Sequence, residues 1–238
     1  HPRSNWVSWA RRCVEETATQ SALFSLLAVY AASMNFTIFE ISIVTFLLAI
    51  SGAVAQWPIG KLSDNFDRRL VIIYTTFGAS FFAFCSIIAG GQMYMPGDLA
   101  TTKYWFYLCV VLFSFCSLPM FAIIFAHTND FIPKEKFVAA GAGLQFAFGV
   151  GAISGPFLCS LLMDLVGANG YFIFLIFFHA LIGFFAIHRM RVRDVKENPD
   201  SQFTAMPQSI TPLGMELNPI TEHIEEPYSE TVSYTHLR

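Results

Sequence analysis

Charge is what this sequence lacks most. Only 13% of its 238 residues are Asp, Glu, Lys or Arg, roughly half the usual content of a soluble domain. By contrast 55% are hydrophobic, and mean hydropathy is +0.53. The few charges cluster and leave long uncharged runs between them. A net charge of −3, with no basic patch interleaved with aromatics, argues against a nucleic-acid surface. There is no H-E-x-x-H, no P-loop and no dinucleotide fingerprint, so nothing points to a metal, a cofactor or an enzyme. The cysteines (Cys13, Cys85, Cys109, Cys116, Cys159) have neither ligand spacing nor flanking histidines. Four lie in apolar runs, where they read as small packing residues rather than disulfides or zinc ligands. A signal peptide is missing as well, and the chain opens on His1, which reads as a piece of something longer. Residues 233–238 resemble translated adapter sequence and are expected to be artefactual.

What the chain has instead is apolar runs of about 20 residues, the length that crosses a bilayer as a helix. Six are found, at 17–36, 38–59, 70–91, 104–127, 137–163 and 170–188. The first is diluted by Gln20 and several Ser and Thr residues; the fifth is long and glycine-rich, which favours tilt or close packing. Basic residues alternate between the connecting segments. Arg3, Arg11 and Arg12 precede the first span; Lys61, Arg68 and Arg69 follow the second; Lys134 and Lys136 follow the fourth; Arg189, Arg191, Arg193 and Lys196 follow the sixth. These are 12 of the 14 basic residues, and the positive-inside rule puts both termini in the cytoplasm. An odd number of spans would break that alternation.

The expected architecture is an all-α, multi-pass integral membrane protein of a plasma or bacterial inner membrane. Residues 1–13 form a cytoplasmic linker segment and 14–190 a six-helix transmembrane bundle. Residues 191–238, punctuated by Pro199, Pro207, Pro212, Pro219 and Pro227, form a disordered cytoplasmic tail.

Ionisable and polar groups inside such a bundle are expensive and mark function by default. Glu40 and Asp164 fall near the ends of spans, His127 at the end of the fourth, and His179 near the middle of the sixth. Gln20, Ser25, Tyr30, Thr45, Ser114 and Gln145 add polar groups. The substrate or proton candidates are Gln145, Glu40, Gln20, Tyr30 and His179. Gln145 stands first, as an amide well inside an apolar helix, against the plainer role of an interhelical hydrogen bond. For His179 the plainer role is a packed, hydrogen-bonded ring. A remote alternative is an intramembrane serine protease, since Gly78-Ala79-Ser80 and His179 superficially resemble a rhomboid Ser–His dyad. The residue after the serine is Phe81 rather than Gly, and the serine falls in the third span rather than the fourth.

The most specific segment is 56–69, between spans two and three. Pro58 and Gly60 are expected to end one helix, with Asp64 facing the positive end of a neighbouring helix. Gly60, Asp64, Arg68 and Arg69 match the pattern G-x-x-x-D-[RK]-x-G-[RK]-[RK], and Asn65 and Asp67 depart from it. The segment resembles the signature loop of the major facilitator superfamily, in the degenerate copy of the second half of such transporters. Residues 149–156, with Gly149, Gly151, Gly155 and Pro156, are similar to the helix-packing and bend motif of helix eleven in the same superfamily. The wording of both segments looks closest to the YcaD-like branch.

The resemblance implies that the spans are helices seven to twelve, built as two inverted three-helix repeats. It implies the C-terminal half of a secondary active transporter that moves a small solute by alternating access, with Gly60, Asp64, Arg68 and Arg69 as a conformational gate. His179 would then sit on a supporting helix. The implied partners are the lipid bilayer, a small-molecule substrate and the N-terminal six-helix half of the same chain, with no cofactor and no nucleic acid. The alternative is a six-helix membrane scaffold or a self-assembling half-transporter.

Overall fold

The computed structural model describes residues 2–92, 99–129 and 137–192. All but the first two residues of the expected tail, and the loops carrying Lys134 and Lys136, lie outside the described residues. The described chain is helical throughout: α1 (Pro2–Ser33), α2 (Ile38–Asn65), α3 (Arg68–Gln92), α4 (Leu99–Ser117), α5 (Met120–Asn129), α6 (Phe137–Val166) and α7 (Gly170–Val192). Helix α1 therefore runs through the segment expected to be a linker.

Local chemistry sets the ends. Asn35 takes a left-handed conformation (φ 59°) after α1. The Phe36 and Asn35 amides then donate to the Ala31 and Ala32 carbonyls, a Schellman closure. Thr37 caps α2 through a capping box with Glu40, its hydroxyl accepting the Glu40 amide at 3.3 Å. Asp67 starts α3 by accepting the Arg69 amide at 2.9 Å. Gly167, at φ +83°, turns the chain from α6 into α7.

Two expectations about proline need correction. Pro58 does not end a helix: it lies inside α2, which continues to Asn65 and is closed by the Phe66 amide on the Leu62 carbonyl. Gly60 and Asp64 are thus in the last turns of α2 and Arg68 and Arg69 in the first turn of α3, so the expected loop is two helix ends meeting at residues 66–67. The expected fourth span, by contrast, is interrupted. Pro119 has no N–H to continue the ladder, and α4 stops at Ser117 before α5 restarts at Met120.

Among the described residues, five segments are long and apolar enough to cross a membrane: Ile38–Asn65, Arg68–Gly91, Thr102–Ile124 (which joins α4 and α5), Gly141–Val166 and Gly170–His188. Helix α1 is not among them, because Glu15, Glu16, Thr17, Thr19, Gln20 and Ser21 dilute it. Unusually, the polar residues among these other than Ser21 are buried. Bulky apolar side chains cover the outside instead, with Trp57, Phe146 and Ile153 all more than three-quarters exposed. Such a surface suits lipid and would aggregate in water.

The helices pack in one sequence around the bundle. α2 lies on α4, α4 on α3, α3 on α7, α7 on α6, and α6 on α1, with α1 also reaching α7. An aromatic group holds one end of the interior: the Tyr30 ring lies 4.9 Å from Phe172, 5.4 Å from Tyr171 and 5.9 Å from Phe106. Ile59, Ile72, Met120, Ile123 and Ile182 fill the other end.

The α1–α6 contact is the closest helix pair. A Cβ on Gly155 would run into the backbone of Ala18, and one on Gly151 would sit 2.6 Å from the Val14 carbonyl oxygen. Gly149 meets nothing within 4 Å, so it is not needed for this contact. Pro156 lacks the N–H that would bond the Ala152 carbonyl one turn back, and Ser21 of α1 donates to that carbonyl at 3.1 Å. Gly155→Val should therefore force α1 and α6 apart and lower stability by about 1–3 kcal/mol, whereas Gly149→Ala should be neutral. Thermal unfolding of the two variants in detergent, side by side, checks this; equal melting would show that the close approach is not required.

Candidate functional site

The interruption between α4 and α5 gathers the buried polar groups. With the ladder broken at Pro119, the Leu118 carbonyl accepts from outside its own helix: Gln20 Nε2 of α1 donates to it at 3.4 Å. The same amide donates to Glu16 Oε1 at 2.7 Å. On the other side of the break Ser117 Oγ lies 2.8 Å from His179 Nε2 of α7, and His179 Nδ1 lies 2.8 Å from the Leu175 carbonyl oxygen. A carbonyl only accepts, so Nδ1 carries the proton and Nε2 accepts from the Ser117 hydroxyl. The Leu118 side chain packs where a Cβ on Gly52 of α2 would stand. Helices α1, α2, α4, α5 and α7 thus meet at one irregular turn, the place where membrane helices are interrupted only if other chain segments satisfy the backbone.

The two ends of the bundle carry ion pairs. At one, Lys103 of α4 donates to Glu40 of α2 at 2.6 Å and stands 5.1 Å over the Phe36 ring. At the other, Arg68 lies 3.5 Å from Asp64, one turn earlier across the α2–α3 junction.

The structure distributes the expected residues among these features. Gln20 and His179 both meet the α4–α5 break, at Leu118 and Ser117, and both are buried. Tyr30 is fully buried in the aromatic group, with Gly90 leaving room for its hydroxyl. Glu40 is held by Lys103 and the α2 cap. Gln145 is half-buried on α6. Ser114 donates to the Leu48 carbonyl of α2, while Ser25 and Thr45 are exposed. Ser80 donates to the Thr76 carbonyl at 3.0 Å, so the serine that meets His179 is Ser117 and not Ser80. Sequence reasoning passed over Glu16, Ser117, Leu118 and Lys103. The signals were a Glu15-Glu16 pair directly before an apolar run and a proline within the fourth one.

A bundle of apolar helices with an interrupted span and buried polar groups at the interruption is the build of a multi-pass membrane transporter. A family model described as Major Facilitator Superfamily matches residues 16–226. The chain belongs to the Major Facilitator Superfamily, whose members are membrane transporters and not enzymes. An uncharacterized MFS-type transporter of Yersinia enterocolitica is 26% identical over 161 residues, 68% of this chain and 38% of that protein. The MFS-type transporter YcaD of Escherichia fergusonii is 24% identical over the same shares. The chain thus spans 38% of the length of these relatives. Among solved structures, a bacterial homologue of the iron transporter ferroportin, outward-facing with soaked iron, superposes with a TM-score of 0.69 at 12% identity, over 82% of this chain and 52% of that one. That likeness concerns the fold.

The Glu40–Lys103 pair is a charged hydrogen bond between α2 and α4, and exchanging the two charges tests how much it contributes apart from the capping role of Glu40. Glu40→Lys or Lys103→Glu alone should lower the melting temperature in detergent, by the equivalent of about 1 kcal/mol or less for a pair this near the surface. The exchanged double variant should recover most of the loss. No recovery would mean that the capping role of Glu40, not the ion pair, sets the effect.

Proposed function

We propose that this chain is the C-terminal six-helix half of a secondary active transporter, which moves a small solute by alternating access together with an N-terminal six-helix half. The six helices are α1, α2, α3, the α4–α5 pair, α6 and α7, arranged as two inverted three-helix repeats. The observation that carries this is the symmetry of the packing. If α1, α2 and α3 correspond to α4–α5, α6 and α7, the main contacts of the bundle have mirrored partners, while the small α1–α2 contact has no counterpart of similar extent. The α1–α6 contact matches α4–α2, α1–α7 matches α4–α3, and α3–α7 lies on the axis. Inverted repeats produce this pattern and place substrate sites at the repeat interface near the bilayer midplane.

The 14–190 bundle would be followed by a cytoplasmic tail from 191, and the basic residues at the α2–α3 end support cytoplasmic termini. Gln20, Gln145, Tyr30, Glu40 and His179 are the residues from which a solute or proton path is built, with Gln20 and His179 nearest the interrupted helix. Gly60, Asp64, Arg68 and Arg69 form the gate. Gly60 is buried between helices, and Asp64–Arg68 bridges the α2–α3 junction. Gly151, Gly155 and Pro156 supply packing and bend, with Gly149 facing outward.

The direct test is uptake into proteoliposomes by the complete gene product, screened over small solutes with and without a pH gradient. Failure of every solute class in correctly inserted protein would count against the transporter. Within that assay Asp64→Lys should reduce initial uptake several-fold while membrane insertion, followed by protease protection, stays near the wild-type level. Equal loss of both would make the junction a topological anchor rather than a gate.

A further inference from the structure

Glu16 is the one carboxylate buried completely within the bundle among the described residues, and the proposed solute or proton path gives it no role beyond accepting from Gln20. Its Oε1 accepts from Gln20 Nε2 at 2.7 Å. Its Oε2 is buried with no hydrogen-bond partner. A lone carboxylate in such a place, without a paired cation, costs several kcal/mol. Neutralising it with a proton removes most of that cost.

Among the described side chains, the elements around it supply no compensating charge; those of Arg11 and Arg12, one turn earlier on α1, lie outside the described residues. On α1 itself the neighbours are Glu15 and Cys13, both buried. Helix α6 faces α1 through Gly151, Ala152 and Gly155, in a stretch without ionisable residues. Helix α7 brings His179, with both ring nitrogens already engaged. Helix α4 brings Cys116, which packs on Gly78 of α3. The α5 histidine, His127, has a side chain outside the described residues. On α2 the ionisable groups are Glu40 near its start and Lys61 and Asp64 near its end. The orphan oxygen is thus a site for a small positive ligand that one carboxylate and one amide can hold, and a proton needs no further ligands.

We propose that Glu16 is a proton-binding site, protonated on Oε2 while the bundle is packed as seen here and releasing that proton to water when α1 moves away from the α4–α5 break. The O–H bond breaks, its electron pair stays on Oε2, and the new carboxylate is hydrated. Gln20 reports the state of the break to this carboxyl, since its amide touches both Glu16 Oε1 and the Leu118 carbonyl. Coupling of that proton to solute movement rests on the transporter reading above; binding of the proton does not.

The test is therefore independent of any solute. Infrared difference spectra of the complete gene product in lipid, stepped between acid and alkaline pH, should show a carboxylic-acid C=O band at neutral pH. The band should be lost in Glu16→Gln, which keeps shape and polarity, and kept in Glu15→Gln. Gln20→Leu should shift its frequency, because Oε1 loses its donor, and this second variant decides the matter if Glu16→Gln does not fold. A band unchanged in both Glu16→Gln and Gln20→Leu would overturn the proposal. So would a wild-type protein showing only carboxylate bands, including one that moves with sodium and not with pH. Uptake that survives Glu16→Gln with its pH dependence intact would remove the coupling role alone and leave the transporter standing.

Discussion

Backbone hydrogen bonding in a medium without water is the constraint on which the rest of this bundle depends. Every amide and carbonyl inside the membrane needs a partner from the protein, and each proline removes one. At Pro156 the orphaned Ala152 carbonyl takes the Ser21 hydroxyl of another helix. At Pro119 the helix stops, and the Leu118 carbonyl takes the Gln20 amide. Other cross-helix bonds add to carbonyls that helices leave able to accept twice: Ser114 to Leu48 of α2 and Tyr171 to Leu23 of α1. All four of these bonds join α1 or α2 to the later part of the chain. They set rotation and register, which greasy side chains alone specify loosely.

Helix α1 shows why polarity and burial coincide here. It is the least apolar of the long helices, yet its polar residues from Glu15 to Gln20 are buried, and the exposed surface of the bundle is Trp, Phe, Ile and Leu. In water the arrangement would be inverted. In lipid the outside must be apolar, so the groups that hydrogen-bond turn toward other helices. The glycines at 151 and 155 allow this by bringing α6 close enough for a serine hydroxyl to reach a backbone carbonyl.

The sequence made the helical, membrane-spanning character legible because run length and charge spacing report it directly. Residues 38–59, 70–91 and 170–188 fall inside α2, α3 and α7, which extend past them by polar turns that hydropathy cannot see. The family was legible from Gly60, Asp64, Arg68 and Arg69, although these occupy helix ends rather than a loop. Proline was the poor guide. Pro58 and Pro119 both sit in apolar runs, yet one is absorbed in α2 and the other interrupts a span. What separates them is tertiary: at Pro119 the neighbouring Leu118 carbonyl and Ser117 hydroxyl find Gln20 and His179. Pairings such as Lys103 with Glu40 join residues far apart in sequence, and no local pattern announces them.

Under the proposed inverted-repeat arrangement, α1 and the α4–α5 pair are not equivalent. On that arrangement α1 corresponds to the α4–α5 pair, α1 lying against α6 and α7 as α4 lies against α2 and α3. One of them is continuous and carries Glu16 and Gln20; the other is broken by Pro119 and offers an unclaimed carbonyl. A helix with spare donors facing a helix with a spare acceptor is a complementary pair that two identical repeats could not form. The bond between them, at 3.4 Å, is also the longest in the network. It joins α1 to α4 at the point where that backbone is already interrupted, so separating α1 from the break costs little helix structure and exposes the carboxyl that lies one turn away. If the proposed repeats supply two stable packings, this asymmetric contact is where a charge would bias the choice between them.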